Sequence, residues 1–195
     1  MIKDCSALIL AGGESRRMGQ DKANLQLGER SLLQSVAAIL QPLFEEVIVS
    51  VRETRPEISL PQVFDDARYY GPLAGLAAGL KRAHSPWLFV VACDMPFISP
   101  AVINDLAARR LSVEAVVPRV QGYPQPLAAF YSASCLTVVE NCLAGSGKHS
   151  LRALLEKLQV RYVDETDLKM ADPQLRSFFD LDTPQDVAIA RNKDN

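Results

Sequence analysis

The sequence is poor in the side chains that usually mark a metalloenzyme or a secreted scaffold. It has only two histidines, His84 and His149, which excludes a histidine-rich metal centre. Its four cysteines (Cys5, Cys93, Cys135, Cys142) show no C-x-x-C spacing, so neither a zinc knuckle nor a dithiol motif is present. No stretch approaches 18 consecutive apolar residues, which excludes a membrane-spanning helix. The opening "MIKDCSALIL" is too short and too charged for a signal peptide, and reduced thiols in a cytoplasmic protein are expected. There is no basic excess either. The formal net charge is −2, against the positive balance of proteins that grip nucleic acid by its phosphates. Any phosphate binding must therefore be local.

What the chain does contain is enough apolar material for a core. Hydrophobic residues make up 48% and charged residues 23% of 195, an ordinary balance for one soluble domain spanning 1–195. Short apolar runs alternate with helical patterns. Strands are expected at 6–10, 46–51, 62–66, 87–94, 114–120 and 127–131, with 46–51 and 87–94 apolar enough to be covered on both faces. Helices are expected at 30–44, where Leu32, Leu33, Val36, Ala37, Leu40 and Leu43 form one stripe, and at 72–83, 99–110, 132–144, 150–158 and from 182 onward. Ser99 followed by Pro100 is a cap-then-proline start. The polar segment 163–177 reads as a surface excursion. This alternation predicts a three-layer α/β/α fold with a doubly wound, mostly parallel, Rossmann-like sheet. Function then belongs at the carboxyl ends of the strands.

Four motifs fall at such ends. In "LILAGGESRRMGQDK" (8–22), Gly12 and Gly13 let backbone N–H groups approach a ligand with no Cβ in the way. Arg17 can fork onto phosphate oxygens and Lys22 adds a mobile point charge. The glycines at 12, 13 and 19 do not fit G-x-G-x-x-G. "GSGK" (145–148) is not a P-loop, because Cys142 stands where the first glycine belongs and His149 where Ser or Thr should be. A surface turn with solvated charges is the plain alternative for 10–22.

In "VVACDMP", Asp94 follows a buried strand, where a hard cation could share it with phosphate oxygens; a turn cap is the alternative. In "FFDLDTPQD", Asp180 and Asp182 point to one side if extended, and a second metal carboxylate or a helix cap are equal readings. In "VFDDARYYGPLAGLAAGL", Asp66 is the exposed-end candidate for a base or ribose contact, while Gly75 and Gly79 read as helix-packing glycines.

Taken in order, "LAGGxSxRMGxDK", "GPLAG", "CDMPF", "QPLAAFY" and "DTPQD" resemble the molybdenum cofactor guanylyltransferases, the MobA family of the nucleotidyltransferase superfamily, from about residue 5 to 190. The resemblance implies transfer of GMP from GTP to molybdopterin with release of pyrophosphate and with Mg²⁺ as cofactor. It implies transient contact with other molybdenum cofactor proteins, and no nucleic acid or membrane partner. By position, Leu10, Ala11 and Gly12 would contact the nucleotide through backbone, with Gly13 beside them. Lys22 would meet the phosphates, Arg17 with it. Asp66 would help to read guanine. Asp94 would hold Mg²⁺, with Asp182 as a second ligand, and Gln125 and Pro126 would face the molybdopterin side. The chain departs from the family at Ser50, where the family has a nucleotide-contacting Asn, and at Asp180 and Asp182, where Asn is frequent. A cytidylyltransferase or sugar-phosphate nucleotidyltransferase on the same fold, or a non-catalytic nucleotide- or pterin-binding module, are the competing readings.

Overall fold

The computed structural model describes residues 1–12, 22–66, 68–145, 147, 149–181 and 186. Strand β1 (Cys5–Leu10) is followed by a two-residue ladder, β2 (Gln26–Leu27) and β3 (Arg30–Ser31), and by helix α1 (Leu32–Leu40). Then come β4 (Val47–Val51), β5 (Gln62–Phe64), α2 (Pro72–Arg82), β6 (Trp87–Ala92) and α3 (Pro100–Ala108). The chain continues through β7 (Ala115–Val120), β8 (Tyr123–Pro124), β9 (Ala128–Ser132), α4 (Leu136–Ala144), α5 (Leu151–Leu155), β10 (Val160–Asp164) and α6 (Glu165–Ala171).

The main sheet runs β10-β7-β9-β6-β1-β4-β5, with β8 hydrogen-bonded to β7. The pairs β6–β1, β1–β4, β4–β5 and β7–β10 are parallel. Strand β9 runs antiparallel between β6 and β7, and the short β8 is antiparallel to β7. From β1 the chain builds outward to β5 on one side, then returns to place β6 on the other. Strand order therefore reverses between β1 and β6, and a crevice opens beyond their carboxyl ends.

Alternation along the strands feeds two separate cores. Cys5, Ala7 and Ile9 of β1 pack with Val36 and Leu40 of α1 and with Val102 and Leu106 of α3. Leu8 faces the other way, among Leu73 and Leu76 of α2, Val139 of α4 and Leu154 of α5. Helices thus cover both faces, and the expected three-layer α/β/α architecture is present. Helix α1 starts where Ser31 and Gln34 form a reciprocal capping box, and Ser99 Oγ accepts the Ala101 N–H at the start of α3, as the cap-then-proline signature requires.

Two expectations need adjustment. Segment 163–177 is not a bare excursion: it contains the end of edge strand β10, helix α6 and the start of a single helical turn (Arg176–Phe178). Arg161, Tyr162 and Asp164 are exposed on that edge while Val163 is buried, so the apolar pattern of a strand is diluted. The stretch 132–144 begins with a 3₁₀ turn (Ala133–Cys135) before α4. The helix expected from 182 onward, with Asp182, lies outside the described residues, as do Gly13 and Arg17.

All four cysteines are free and buried, and burial pushes the thiols of Cys5 and Cys135 up to about 12. They serve as small apolar fillers. No helix among the described residues is long and apolar enough to cross a membrane.

Candidate functional site

A cavity of about 150 Å³ lies at the crevice. Its walls come from the ends of four strands and from α2. Leu10, Ala11 and Gly12 leave β1; Ala92, Cys93 and Asp94 leave β6; Ser50 belongs to β4; Asp65 follows β5; Gly71, Pro72 and Gly75 open α2; Lys22 and Leu127 complete it.

Backbone hydrogen bonds fix this junction. Ala11 N–H donates to Ser50 C=O at 2.9 Å, and Cys93 N–H donates to Leu10 C=O at 3.1 Å. The end of β1 is therefore stitched to both neighbours, and Gly12 emerges directly over the crevice. Gly71 enters α2 with φ +94°, a region that L side chains rarely adopt. Gly75 lets the helix sit against the sheet edge: a Cβ there would meet Leu10 Cδ2 at 2.6 Å and Ser50 Oγ at 2.8 Å. A Cβ on Gly79 would press into Leu8. The packing reading of both glycines holds, and Gly75 lines the cavity as well.

At the β6 end, Lys22 Nζ donates to Asp94 Oδ2 at 2.8 Å, with both side chains largely sheltered at 20% and 17% exposure. A partly buried ion pair of this kind is held by geometry more than by bulk charge. It unites two residues singled out for separate duties in the sequence. Leu181 N–H donates to Asp94 C=O at 3.0 Å, and Leu181 is buried beside Leu32. This bond brings Leu181, at the start of the closing "LDTPQD" motif, alongside Asp94.

At the β5 end, Ser50 Oγ donates to Asp65 Oδ1 at 2.7 Å. Burial pushes the Asp65 carboxyl up; the Ser50 hydrogen bond and the Arg52 charge oppose that shift. Asp66 is placed differently. It lies outside that lining, in a separate pocket of about 440 Å³ with Phe64, Arg68 and Lys81. There Arg68 holds it at 2.7 Å, and hydrogen bonds from the Arg68 side chain and backbone lower its carboxyl to about 2. Side chains alternate along an extended segment. Asp65 therefore shares the side of buried Val63, and Asp66 the side of exposed Phe64. That period-two signal was available in "VFDD", and it singles out Asp65.

Gln125 and Pro126 lie on the connection from β8 to β9, next to the cavity-lining Leu127. Gln125 N–H donates to Pro118 C=O at 2.8 Å, and the fully buried Tyr131 donates its hydroxyl to Pro126 C=O at 2.9 Å. Both residues are thereby held at the same sheet edge as Asp94.

Among the described residues there is no group of three or more His, Cys, Asp or Glu able to hold a metal. One carboxylate is nevertheless sufficient protein support for Mg²⁺ when a substrate supplies phosphate oxygens, and Asp94 fits that requirement.

Comparison with known proteins gives this arrangement its class. Residues 7–163 match the family described as MobA-like NTP transferase domain. A probable molybdenum cofactor guanylyltransferase of Pelotomaculum thermopropionicum is 38% identical, over 95% of this chain and 91% of the relative. The molybdenum cofactor guanylyltransferase of Syntrophotalea carbinolica is 37% identical, over 95% and 90%. The crystal structure of molybdopterin-guanine dinucleotide biosynthesis protein A from Archaeoglobus fulgidus superposes with a TM-score of 0.85 at 28% identity, covering 96% of this chain and 97% of that one. The 2-C-methyl-D-erythritol 4-phosphate cytidylyltransferase of Thermus thermophilus shares the fold, with a TM-score of 0.68 at 21% identity over 96% and 97% of the two chains. The chain belongs to the MobA-like NTP transferase family and is a nucleotidyltransferase.

Proposed function

We propose that this nucleotidyltransferase, acting as one cytoplasmic domain, transfers GMP from GTP to molybdopterin, forming the guanine dinucleotide cofactor and releasing pyrophosphate. The observation that carries the reading is the junction of Gly12, Lys22 and Asp94 at the β1/β6 crevice. The names of the 38% and 37% identical relatives supply the nucleotide and the acceptor.

The chemistry asked of the chain is positioning and charge stabilisation. A terminal phosphate oxygen of molybdopterin bonds to the α-phosphorus of GTP as the bond to the pyrophosphate oxygen breaks. The attacking phosphate is already ionised, so no histidine base is required. Backbone at Leu10, Ala11 and Gly12 lies along the nucleotide. Lys22 exchanges its Asp94 partner for the leaving pyrophosphate, and Arg17 supports it. Asp94, with Asp182 as second ligand, would hold Mg²⁺, which supplies countercharge at the α-phosphate when bound. Gln125 and Pro126 border the acceptor. Asp66, outside the cavity, is given no part in reading the base.

Pyrophosphate release measured with molybdopterin and GTP, CTP or ATP tests this directly. GTP-dependent release that requires molybdopterin is expected. Release from CTP in preference to GTP would replace the reading by a cytidylyltransferase, and no release from any nucleotide would favour a binding module.

A further inference from the structure

We propose that Ser177 and Asp172 are positioning residues for Asp94: they hold the loop that carries it, so that its carboxylate stays aimed into the crevice once Lys22 turns to phosphate. The inference rests on the nucleotidyl-transfer reading above and names the support on which its metal and phosphate end depends.

Asp94 lies on the connection between β6 and α3 (93–99). Two turn hydrogen bonds within it, Met95 N–H to Ala92 C=O and Ile98 N–H to Met95 C=O, are both long at 3.3 Å. Further support comes from the segment 172–181, far along the sequence. Leu181 N–H donates to Asp94 C=O at 3.0 Å. The Arg176 guanidinium lies 4.7 Å from the centre of the Phe97 ring, within reach of a cation–π attraction. Ser99 N–H donates to Ser177 Oγ at 3.0 Å. Asp94, Phe97 and Ser99 are thus met by Leu181, Arg176 and Ser177, and the segment straps the loop along its length.

Ser177 is the centre of this strap, and helix α1 shows why a partner is needed at Ser99. There the N-cap N–H of Ser31 is accepted by the Gln34 side chain three residues on. In α3 the equivalent position is Val102, so that helix cannot supply the acceptor itself. Ser177 supplies it from 78 residues away. Its side chain is fully buried. Its hydroxyl donates to Asp172 Oδ2 at 2.7 Å, an oxygen that also accepts the Ser177 N–H at 2.7 Å. A hydroxyl that gives its proton to a carboxylate keeps its lone pairs for Ser99. The turn that joins Asp172 to Ser177 carries Leu175 at φ 53° and ψ 31°, a left-handed conformation rare for leucine. Such strain persists only where the surroundings over-determine it, and here those surroundings lead to the Asp94 loop.

The test is calorimetric titration of GTP, with Mg²⁺ and with EDTA in its place, on wild type, Ser177→Ala, Asp172→Ala, Asp172→Asn and Ser31→Ala. Wild type should bind GTP at least about 10-fold more tightly with Mg²⁺, the worth of a charge-assisted contact. Ser177→Ala should cut that gain by about 10-fold, as loss of support behind a metal-binding carboxylate does, and leave binding in EDTA unchanged. Asp172→Ala should do the same, and it carries the test if Ser177→Ala does not fold. Asp172→Asn, whose amide oxygen still accepts from Ser177, should restore the wild-type gain. Ser31→Ala breaks the α1 capping box; it should lower the melting temperature and keep the gain, which separates positioning from a general loss of stability. A wild-type gain retained in both Ser177→Ala and Asp172→Ala, or lost equally in Ser31→Ala, would overturn the assignment while leaving the guanylyltransferase reading intact. If wild type prefers CTP to GTP, the guanylyltransferase reading falls, and the same comparison made with CTP decides the assignment. A wild type that gains nothing from Mg²⁺ with either nucleotide would overturn the assignment as well.

Discussion

Asp65 and Asp66 are the same residue type at adjacent positions, and their surroundings drive them in opposite directions. Asp65 is half-buried against Ser50, and burial raises its carboxyl pKa. Asp66 faces solvent, and Arg68 lowers its carboxyl to about 2. The first arrangement costs the fold something, because a charge is partly removed from water, and the Ser50 hydroxyl and the Arg52 charge offset that cost only in part. The second is an ordinary surface ion pair, screened and weakly coupled. A strained electrostatic environment inside a crevice is where binding sites keep their working groups, and a relaxed one outside it is where they do not. The same contrast separates Lys22–Asp94, sheltered at the crevice, from Lys81–Glu140, which bridges two helices on the open surface.

The largest effect that sharpens this contrast is catalytic. Lys22→Ala should lower kcat about 10²–10³-fold at saturating GTP, the usual loss on removing one preorganised stabilising contact. Full recovery at saturating GTP would assign Lys22 to uniform binding only. Lys81→Ala, in the surface pair, should leave kcat unchanged in the same assay.

Next in size is a packing effect. Gly75→Ala would place a Cβ 2.6 Å from Leu10 Cδ2 and 2.8 Å from Ser50 Oγ. It should cost about 1–3 kcal/mol in urea denaturation and weaken GTP binding together with it. Wild-type stability in this variant would show that α2 can retreat from the sheet edge.

A smaller effect is visible in pH. The folded-state carboxyl of Asp65 titrates above its unfolded value, so the fold binds that proton more tightly than the unfolded chain does. Its contribution to stability is therefore best in acid and declines as pH rises from the ordinary carboxylate range through the raised value. Asp65→Asn should melt at or above the wild-type temperature at pH 7, with the difference shrinking toward pH 4. A mutant that melts lower at pH 7 would make Asp65 a structural support instead.

The smallest effect belongs to Asp66. Its lowered carboxyl favours the folded state above the ordinary carboxylate range, and that contribution fades as pH falls toward about 2. The group is fully solvated, so Asp66→Asn should leave the melting temperature at pH 7 indistinguishable from wild type.

The apolar strands β1, β4 and β6 were legible in the sequence because strands covered on both faces read as continuous hydrophobic runs. Strand β10 was not, since its edge position lets Arg161, Tyr162 and Asp164 face solvent. Helix α6 was hidden for a related reason: Leu168 is its one buried residue among acidic and basic neighbours. In the site, Leu10, Ala11, Gly12, Lys22 and Asp94 were identifiable from motif and position, and the cavity gathers all five. Asp65 was not singled out. The alternation in "VFDD" carried its direction, but the partner that holds it, a serine 15 residues earlier, was not visible there. Ser50 likewise read as a shortened substitute for Asn, when its reach is enough for the partner beside it.

The central claim is that GTP binds along the β1/β6 crevice with its phosphates at Lys22 and Asp94. Calorimetric titration of GTP and CTP in the presence of Mg²⁺, on wild type and Asp94→Asn, tests it most directly. The account predicts that wild type prefers GTP and that this binding weakens by at least about 10-fold in Asp94→Asn, as expected when a charge-assisted contact is lost. Preferential CTP binding, or GTP binding unchanged in Asp94→Asn, would contradict it.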